Sequence, residues 1–208
     1  MNVIDALNWR YAVRQFSDVK IDDEKLNELL NAARLSPTSY GLQPYRLIVV
    51  NDKNVRKDLL PHSMGQDKVV DCSHLIIVAV QTDIGDEMVD RYIQSVAETR
   101  GFPEAELEGF SEHVKNVFRD MTVAEKREWA HQQAYIALGT LLTTAAVMKI
   151  DSCPMGGFEP EGFDQVLGLD EMGLESSVIC AIGLRHPADT SAQLPKVRYS
   201  QAEMILAV

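Results

Sequence analysis

Cysteine is scarce in this chain. Only Cys72, Cys153 and Cys180 occur, an odd number set far apart in apolar sequence, which suits reduced, buried thiols and excludes both a disulfide framework and a cysteine zinc site. Long hydrophobic runs are missing as well: no segment reaches the roughly 18 consecutive apolar residues of a membrane span. The opening "MNVIDALNWRYAVRQF" lacks the basic-then-apolar order of a secretory signal, and Asp5 speaks against a transit peptide. The expected location is therefore the cytoplasm. The histidines, His62, His74, His113, His131 and His186, are scattered with no pair at a helical ligand spacing. Nor is there an H-E-x-x-H, a G-x-S-x-G, a G-x-x-x-x-G-K-[ST] or a G-x-G-x-x-G after a first strand. A metal centre and an acyl-transfer triad both drop out.

Positive charge is the minority sign. Twenty Lys and Arg against 31 Asp and Glu give a net charge of −11, so the average field repels polyanions, and no basic run offers an exception. Nucleic acid is not an expected partner. What is present is ordinary for a globular protein: 46% apolar and 25% charged residues in 208, enough for one domain with a sizeable core.

Residues 3–9 read as a short helix and 23–35 as a stronger one. Leu26, Leu29, Leu30 and Ala33 recur at i, i+3, i+4 and i+7, Asp22, Asp23 and Glu24 place negative charge at the positive end, and Pro37 stops the pattern. "YRLIVVND" reads as a strand, "KNVRKDLL" as a short helix and "HLIIVAVQTD" as a second strand. Such continuous apolar runs indicate strands covered on both faces. Residues 85–100 are helical in pattern, and 101–122 form a polar middle, with "GFPEAELEGF" its mobile part and the candidate lid. From Val123 to Ile150 runs a long helical pattern whose second half, "AYIALGTLLTTAAVMKI", is apolar nearly all round, the mark of a helix buried on most faces. A subunit interface would bury it most easily. A turn at the glycines of "PMGGF", a short helix in "EGFDQVLGL" and a third strand in "SSVICAIGLR" follow. The tail "LPKVRYSQAEMILAV" ends apolar and must pair with something, such as the edge of another sheet. This order indicates a single domain over 1–208, an α/β or α+β sandwich around one central sheet.

Four basic residues lie in loops or at element ends: Arg10 and Arg14 in "RYAVRQF", Lys196 and Arg198 in "PKVRYS". Together they could form a local anion site suited to phosphate oxygens; ordinary surface ion pairing is the alternative. "SPTSYGLQPY" offers hydroxyls and free backbone amides to a flat heteroaromatic ligand, although the same composition makes a plain loop. Gln66, Lys68 and Gln133 are single polar residues beside apolar ones.

In order along the chain, "RYAVRQF", "SPTSYGLQPY", "GQDKVVDCSH", "WAHQQAYIALGTLLTTAA", "CPMGGF" and "LPKVRYS" resemble the nitroreductase family of FMN-dependent NAD(P)H oxidoreductases, from about residue 3 to 205. The resemblance implies an α+β three-layer sandwich, a mostly antiparallel central sheet flanked by helices. It also implies an intertwined homodimer with two FMN molecules at the subunit interface and the tail, residues 195–208, embracing the partner. Arg10, Lys196 and Arg198 would hold the FMN phosphate, with Tyr11 and Ala12 beside it. Arg14, Gln66 and Lys68 would lie near the flavin, Arg14 and Lys68 at the pyrimidine edge where reduction places negative charge. Pro37, Thr38, Ser39 and Gly41 would come from the other subunit, with Gln133 near the ribityl chain. Pro154, Met155, Gly156 and Gly157 would lie against the ring, a glycine N–H aimed at the flavin N5.

On this resemblance the cofactor is FMN, NADH or NADPH is a transient co-substrate, and no catalytic side chain is needed. The acceptor would be a flat electrophile such as a nitroaromatic or a quinone, reduced in a ping-pong cycle. A reductase or dehydrogenase for one metabolite, a flavin store or sensor without useful turnover, and a purely structural dimer are the rival readings. Gly156 and Gly65 stand where several nitro-compound reducers carry glutamate and asparagine, which bears on acceptor preference and not on FMN binding.

Overall fold

The computed structural model describes residues 2–208. Asn2 caps α1 (Val3–Trp9) by accepting a hydrogen bond from the Asp5 N–H. α2 (Asp23–Arg34) buries Leu26, Leu29 and Ala33, the apolar stripe its spacing predicts. β1 (Tyr45–Val50), α3 (Lys53–Leu59), α4 (Lys68–Asp71) and β2 (His74–Gln81) follow. α5 (Asp86–Arg100) stops at Gly101, whose φ of 70° lets its N–H return to the Ala97 carbonyl oxygen. Next come α6 (Glu104–Arg119), α7 (Val123–Val147), β3 (Asp151–Met155), α8 (Pro160–Leu167), β4 (Leu174–Gly183) and α9 (Gln201–Met204).

The strands form one antiparallel sheet in the order β1-β2-β4-β3. Side chains alternate across it. Leu75, Ile77 and Ala79 of β2, with Ile179 and Ala181 of β4, pack against Leu59, Val69 and Phe163 of α3, α4 and α8. Ile76, Val78 and Val80, with Val178, Cys180 and Ile182, face the opposite layer of α2, α5, α6 and α7. An antiparallel sheet often wets one face; the two central strands here are dry on both, which is why they read as unbroken apolar runs. The architecture is the three-layer α+β sandwich implied by the resemblance.

β3 is the element that sequence patterning passes over as part of a turn. It is five residues long and contains Pro154, which an edge strand tolerates because its missing N–H need not face a neighbour. The polar middle, in turn, holds a regular helix: α6 buries Ser111, Val114 and Phe118 from its second half, leaving residues 104–110 less anchored.

α7 begins at a reciprocal cap between Thr122 and Glu125 and ends where Lys149 turns to a φ of 60° and the Ile150 N–H reaches the Ala145 carbonyl oxygen at 2.8 Å. Its sheet-facing side is buried as its composition predicts. The other side, with Tyr135, Ile136 and Val147, is exposed in the single chain, as are Val3, Ile4 and Leu7 of α1 and Met204, Ile205, Leu206 and Val208 of the tail. Among the described residues no helix is long and apolar enough to cross a membrane.

Candidate active site

Residues 10–17 run beside the free edge of β3 and the end of β4. Ala12 bridges Ser152, Phe16 bridges Arg185, and the Ser17 N–H donates to the Leu184 carbonyl oxygen at 2.8 Å. Extended backbone sends alternate side chains to opposite sides, so Val13 enters the core while Arg10, Ala12 and Arg14 share the other side. Asp189 pins the segment. Its carboxylate accepts from the N–H groups of Arg14 (2.9 Å), Gln15 (3.3 Å) and Ser191 (3.0 Å) and from the Tyr11 hydroxyl (3.2 Å). Burial pushes this carboxyl up, but the four donors outweigh it and hold it below the usual range. Tyr11 itself is pushed up to about 12, by burial first, with Asp189 adding to the shift against the opposing charge of Arg185. That arginine lies 4.6 Å from the Tyr11 ring centroid and 4.3 Å from that of Trp9, and it pairs with Asp151.

Two adjoining recesses result. One, of about 500 Å³, is lined by Arg10, Tyr11, Lys196 and Arg198 among others. The second is a cleft of about 1130 Å³ lined by Gln66, Lys68, Met155, Gly156 and Gly157. Ala12, Arg14 and Pro154 line both, so the two lie side by side. Four separate chain segments thus bring one group of the expected residues to a single place.

The smaller recess carries uncompensated positive charge. Burial first, then the neighbouring Arg198, lowers the pKa of Arg10, whose Nε is buried without an acceptor. Lys196 is lowered by burial and by Arg10 and Arg198, and its ammonium donates to the Arg10 carbonyl oxygen. Among the described residues no carboxylate lies within 4.0 Å of Arg10, Arg14, Lys68, Lys196 or Arg198. The ion-pair alternative for these residues is not what the fold contains. In the larger cleft the Cys153 thiol is pushed up by burial and pulled back by Lys68, Arg10 and Arg14, which places all three cations around it.

The glycine pair has no reason internal to the chain. Neither Gly156 nor Gly157 has a positive φ, and a Cβ on either would come no closer than 3.8 Å to a non-neighbouring atom. A strained turn does not explain them. Gly65, by contrast, sits at φ 66°, a conformation open to glycine and asparagine.

Pro37, Thr38, Ser39, Gly41 and Gln133 line neither recess of their own chain. They form a second group: Gln133, 5% exposed, accepts from the Ser39 N–H at 2.8 Å and donates to the Trp129 carbonyl oxygen at 3.2 Å. Gly41 has a local reason to be glycine, a φ of 78° and the Tyr92 ring where a Cβ would stand. The preceding Tyr40, at φ 56°, packs against Phe110 and His113 of α6.

Sequence reasoning missed Asp189, and also Met64, Asp71 and His186 on the cleft wall. Asp189 has a sequence signal, an aspartate two positions before a small polar residue in "ADTS", where its side chain caps the Ser191 N–H. The three others have none.

Residues 7–184 match the family model described as the nitroreductase family. The chain belongs to the nitroreductase family. A Staphylococcus saprophyticus protein provisionally named an NAD(P)H nitroreductase is 31% identical, covering 98% of this chain and 95% of its own. Two solved structures share the nitroreductase fold: a provisionally named nitroreductase from Bacillus subtilis (TM-score 0.88, 22% identity, 99% of this chain and 98% of that one) and another from Exiguobacterium sibiricum in complex with FMN (TM-score 0.84, 19% identity, 100% and 98%).

Proposed function

We propose that this nitroreductase-family chain is an FMN-dependent oxidoreductase, taking hydride from NADH or NADPH and delivering it to a flat electrophile such as a nitroaromatic or quinone, the two substrates using one cleft in turn. The observation that carries the reading is the cluster of Arg10, Lys196 and Arg198, free of paired carboxylates, beside a cleft edged by Gly156 and Gly157, with Ala12, Arg14 and Pro154 lining both. Bound FMN would supply a ring nitrogen able to accept and donate hydride. Everything else is done by the chain. Arg10, Lys196 and Arg198 hold a phosphate by charge-assisted hydrogen bonds. Arg14 and Lys68 set positive charge in the cleft, favouring the reduced, anionic ring. Gly156 and Gly157 leave room for a flat ring at their backbone, and no side-chain acid or base is required for hydride transfer.

A second copy of the chain completes the site in this reading. The exposed apolar faces of α1 and α7, and the exposed tail, are what a homodimer would cover. The partner's second group, residues 37–41 with Gln133 behind them, would then face the cleft. Through Tyr40 and Phe110 that loop carries α6, whose first half is the element suited to enclose an acceptor. The test is an anaerobic visible spectrum of the FMN-reconstituted protein titrated with each nicotinamide and then with a quinone. Bleaching followed by recovery supports the reading; bound flavin that neither nicotinamide bleaches sinks the activity, and failure to hold flavin sinks the site.

A further inference from the structure

A separate, smaller recess of about 120 Å³ is enclosed by Ser17, Asp18, Lys20, Lys53, Arg56 and residues 70–73. Arg56 is 1% exposed, one of the largest fully buried side chains. Its Nη1 donates to the Cys72 carbonyl oxygen and lies 3.2 Å from the Cys72 Sγ, yet its Nε is buried with no acceptor. Ser17, another residue lining the recess, has a second buried polar atom without a partner, its Oγ. A buried guanidinium is stable only with an anion or a full set of acceptors. Among the described residues Arg56 has no carboxylate within 4.0 Å, and neither do Lys20 and Lys53.

The charge around the recess is positive in a chain that is strongly acidic. Lys20 donates from Nζ to the Ser73 carbonyl oxygen at 2.7 Å, and Lys53 stands exposed at the rim. The carboxylates facing it are Asp18 and Asp71, both exposed and both beyond ion-pair distance of the three cations. Nearby His74 feels the excess: burial first, then Lys20 and Arg56, pushes its pKa down against the opposing pull of Asp23.

We propose that this recess binds a small inorganic oxyanion of the phosphate or sulfate class, with Arg56 and Ser17 as buried donors and Lys20 and Lys53 closing over it. The volume suits a small anion. Donors from several directions match an anion with several oxygens better than a single-point halide. Asp71 lines both this recess and the large cleft, so the anion sits against the helix that carries Lys68, but the inference stands on the recess alone and not on the flavin reading.

The test is the melting temperature of the full chain against inorganic phosphate, with chloride holding ionic strength constant, in wild type, Lys53→Glu and Lys196→Glu. Lys53 is exposed at the rim, so its replacement leaves the core packed. A saturable rise of roughly 5 °C at about a hundred times the dissociation constant is expected. A rise, or a component of one, that disappears in Lys53→Glu and persists in Lys196→Glu supports the recess. A rise unchanged in Lys53→Glu, or no saturable rise in wild type, overturns it.

Discussion

The side-chain amide of Gln66 donates to the carbonyl oxygen of Gly157 at 3.0 Å, and the same nitrogen donates to the Ser63 carbonyl oxygen at 3.0 Å. One residue therefore ties the left-handed turn at Met64 and Gly65 to the glycine pair across the cleft. Gln66 was expected as a flavin contact; its donors are committed to holding the glycine loop, and only its carbonyl oxygen is left to face a ligand. Gln66→Ala is expected to leave flavin bound and to slow reduction by NAD(P)H roughly fivefold, the equivalent of one neutral hydrogen bond. Stopped-flow bleaching measures it, and an unchanged rate would mean the loop is held without this tether.

Lys196 and Arg198 come from a segment with no regular structure, and Arg10 from the end of α1. Lys196 donates to the Arg10 carbonyl oxygen, and the phosphate proposed above would account for three cations gathered without a carboxylate. Arg198→Ala should raise the FMN dissociation constant by about 10- to 150-fold, the range for losing one charge-assisted hydrogen bond. Fluorescence titration reads this directly. Retention of wild-type affinity would remove Arg198 from the phosphate assignment.

The legibility of the chain follows from how local each signal is. β2 and β4 announced themselves because they are buried on both faces, and α2 because one face repeats at helical spacing. β3 did not, since an edge strand with proline inside carries no run and no alternation. In the candidate site, "RYAVRQF" and "PKVRYS" were readable as basic residues outside helix faces, but their convergence depends on the bridge of Ala12 to Ser152, a contact across 140 residues of chain. Arg56 was invisible for the opposite reason. It sits in α3 among lysines and an aspartate, where an arginine normally reads as a solvated face, and only the fold shows it buried.

Asp189 couples the site to stability. It is 4% exposed, and its carboxyl titrates below the unfolded value near 3.9. A depressed carboxyl stabilises the fold above its unfolded pKa, and that contribution is lost as pH falls through the folded one. Asp189→Asn should therefore lower the melting temperature at pH 7 by roughly 2–10 °C, for a loss of about 1–3 kcal/mol. The gap between variant and wild type should narrow as pH falls below about 4. A gap independent of pH would show that shape, not charge, is what the loop needs.

The proposed homodimer predicts a particle of twice the 23.2 kDa chain mass in sedimentation equilibrium. Ile136 lies on the exposed side of α7, so Ile136→Glu should not disturb the core of a monomer. It should shift the protein to monomer and abolish flavin binding together. A monomeric variant that holds FMN at wild-type affinity would place the whole site in one chain.

The glycines of "PMGGF" give the sharpest separation of fold from function. In most proteins a glycine is fixed by its φ or by a neighbour that occupies the Cβ position, as Gly41 is here by Tyr92. Neither reason holds at Gly156 or Gly157, where a Cβ would meet only ordinary contacts, at 3.8 Å to Tyr135 Oη and to Met64 Sδ respectively. Substituting them should therefore cost the flavin-free protein little, within about 0.5 kcal/mol of wild type. A ring lying against that backbone would be displaced by the new side chain. Gly157→Val is expected to melt within about 2 °C of wild type without flavin while losing at least about tenfold in FMN affinity or in reduction rate. If stability falls and flavin chemistry does not, the glycines serve the turn. If both hold, the space they keep open belongs to the acceptor instead of the ring, and the altered quantity will be the Michaelis constant for the electrophile.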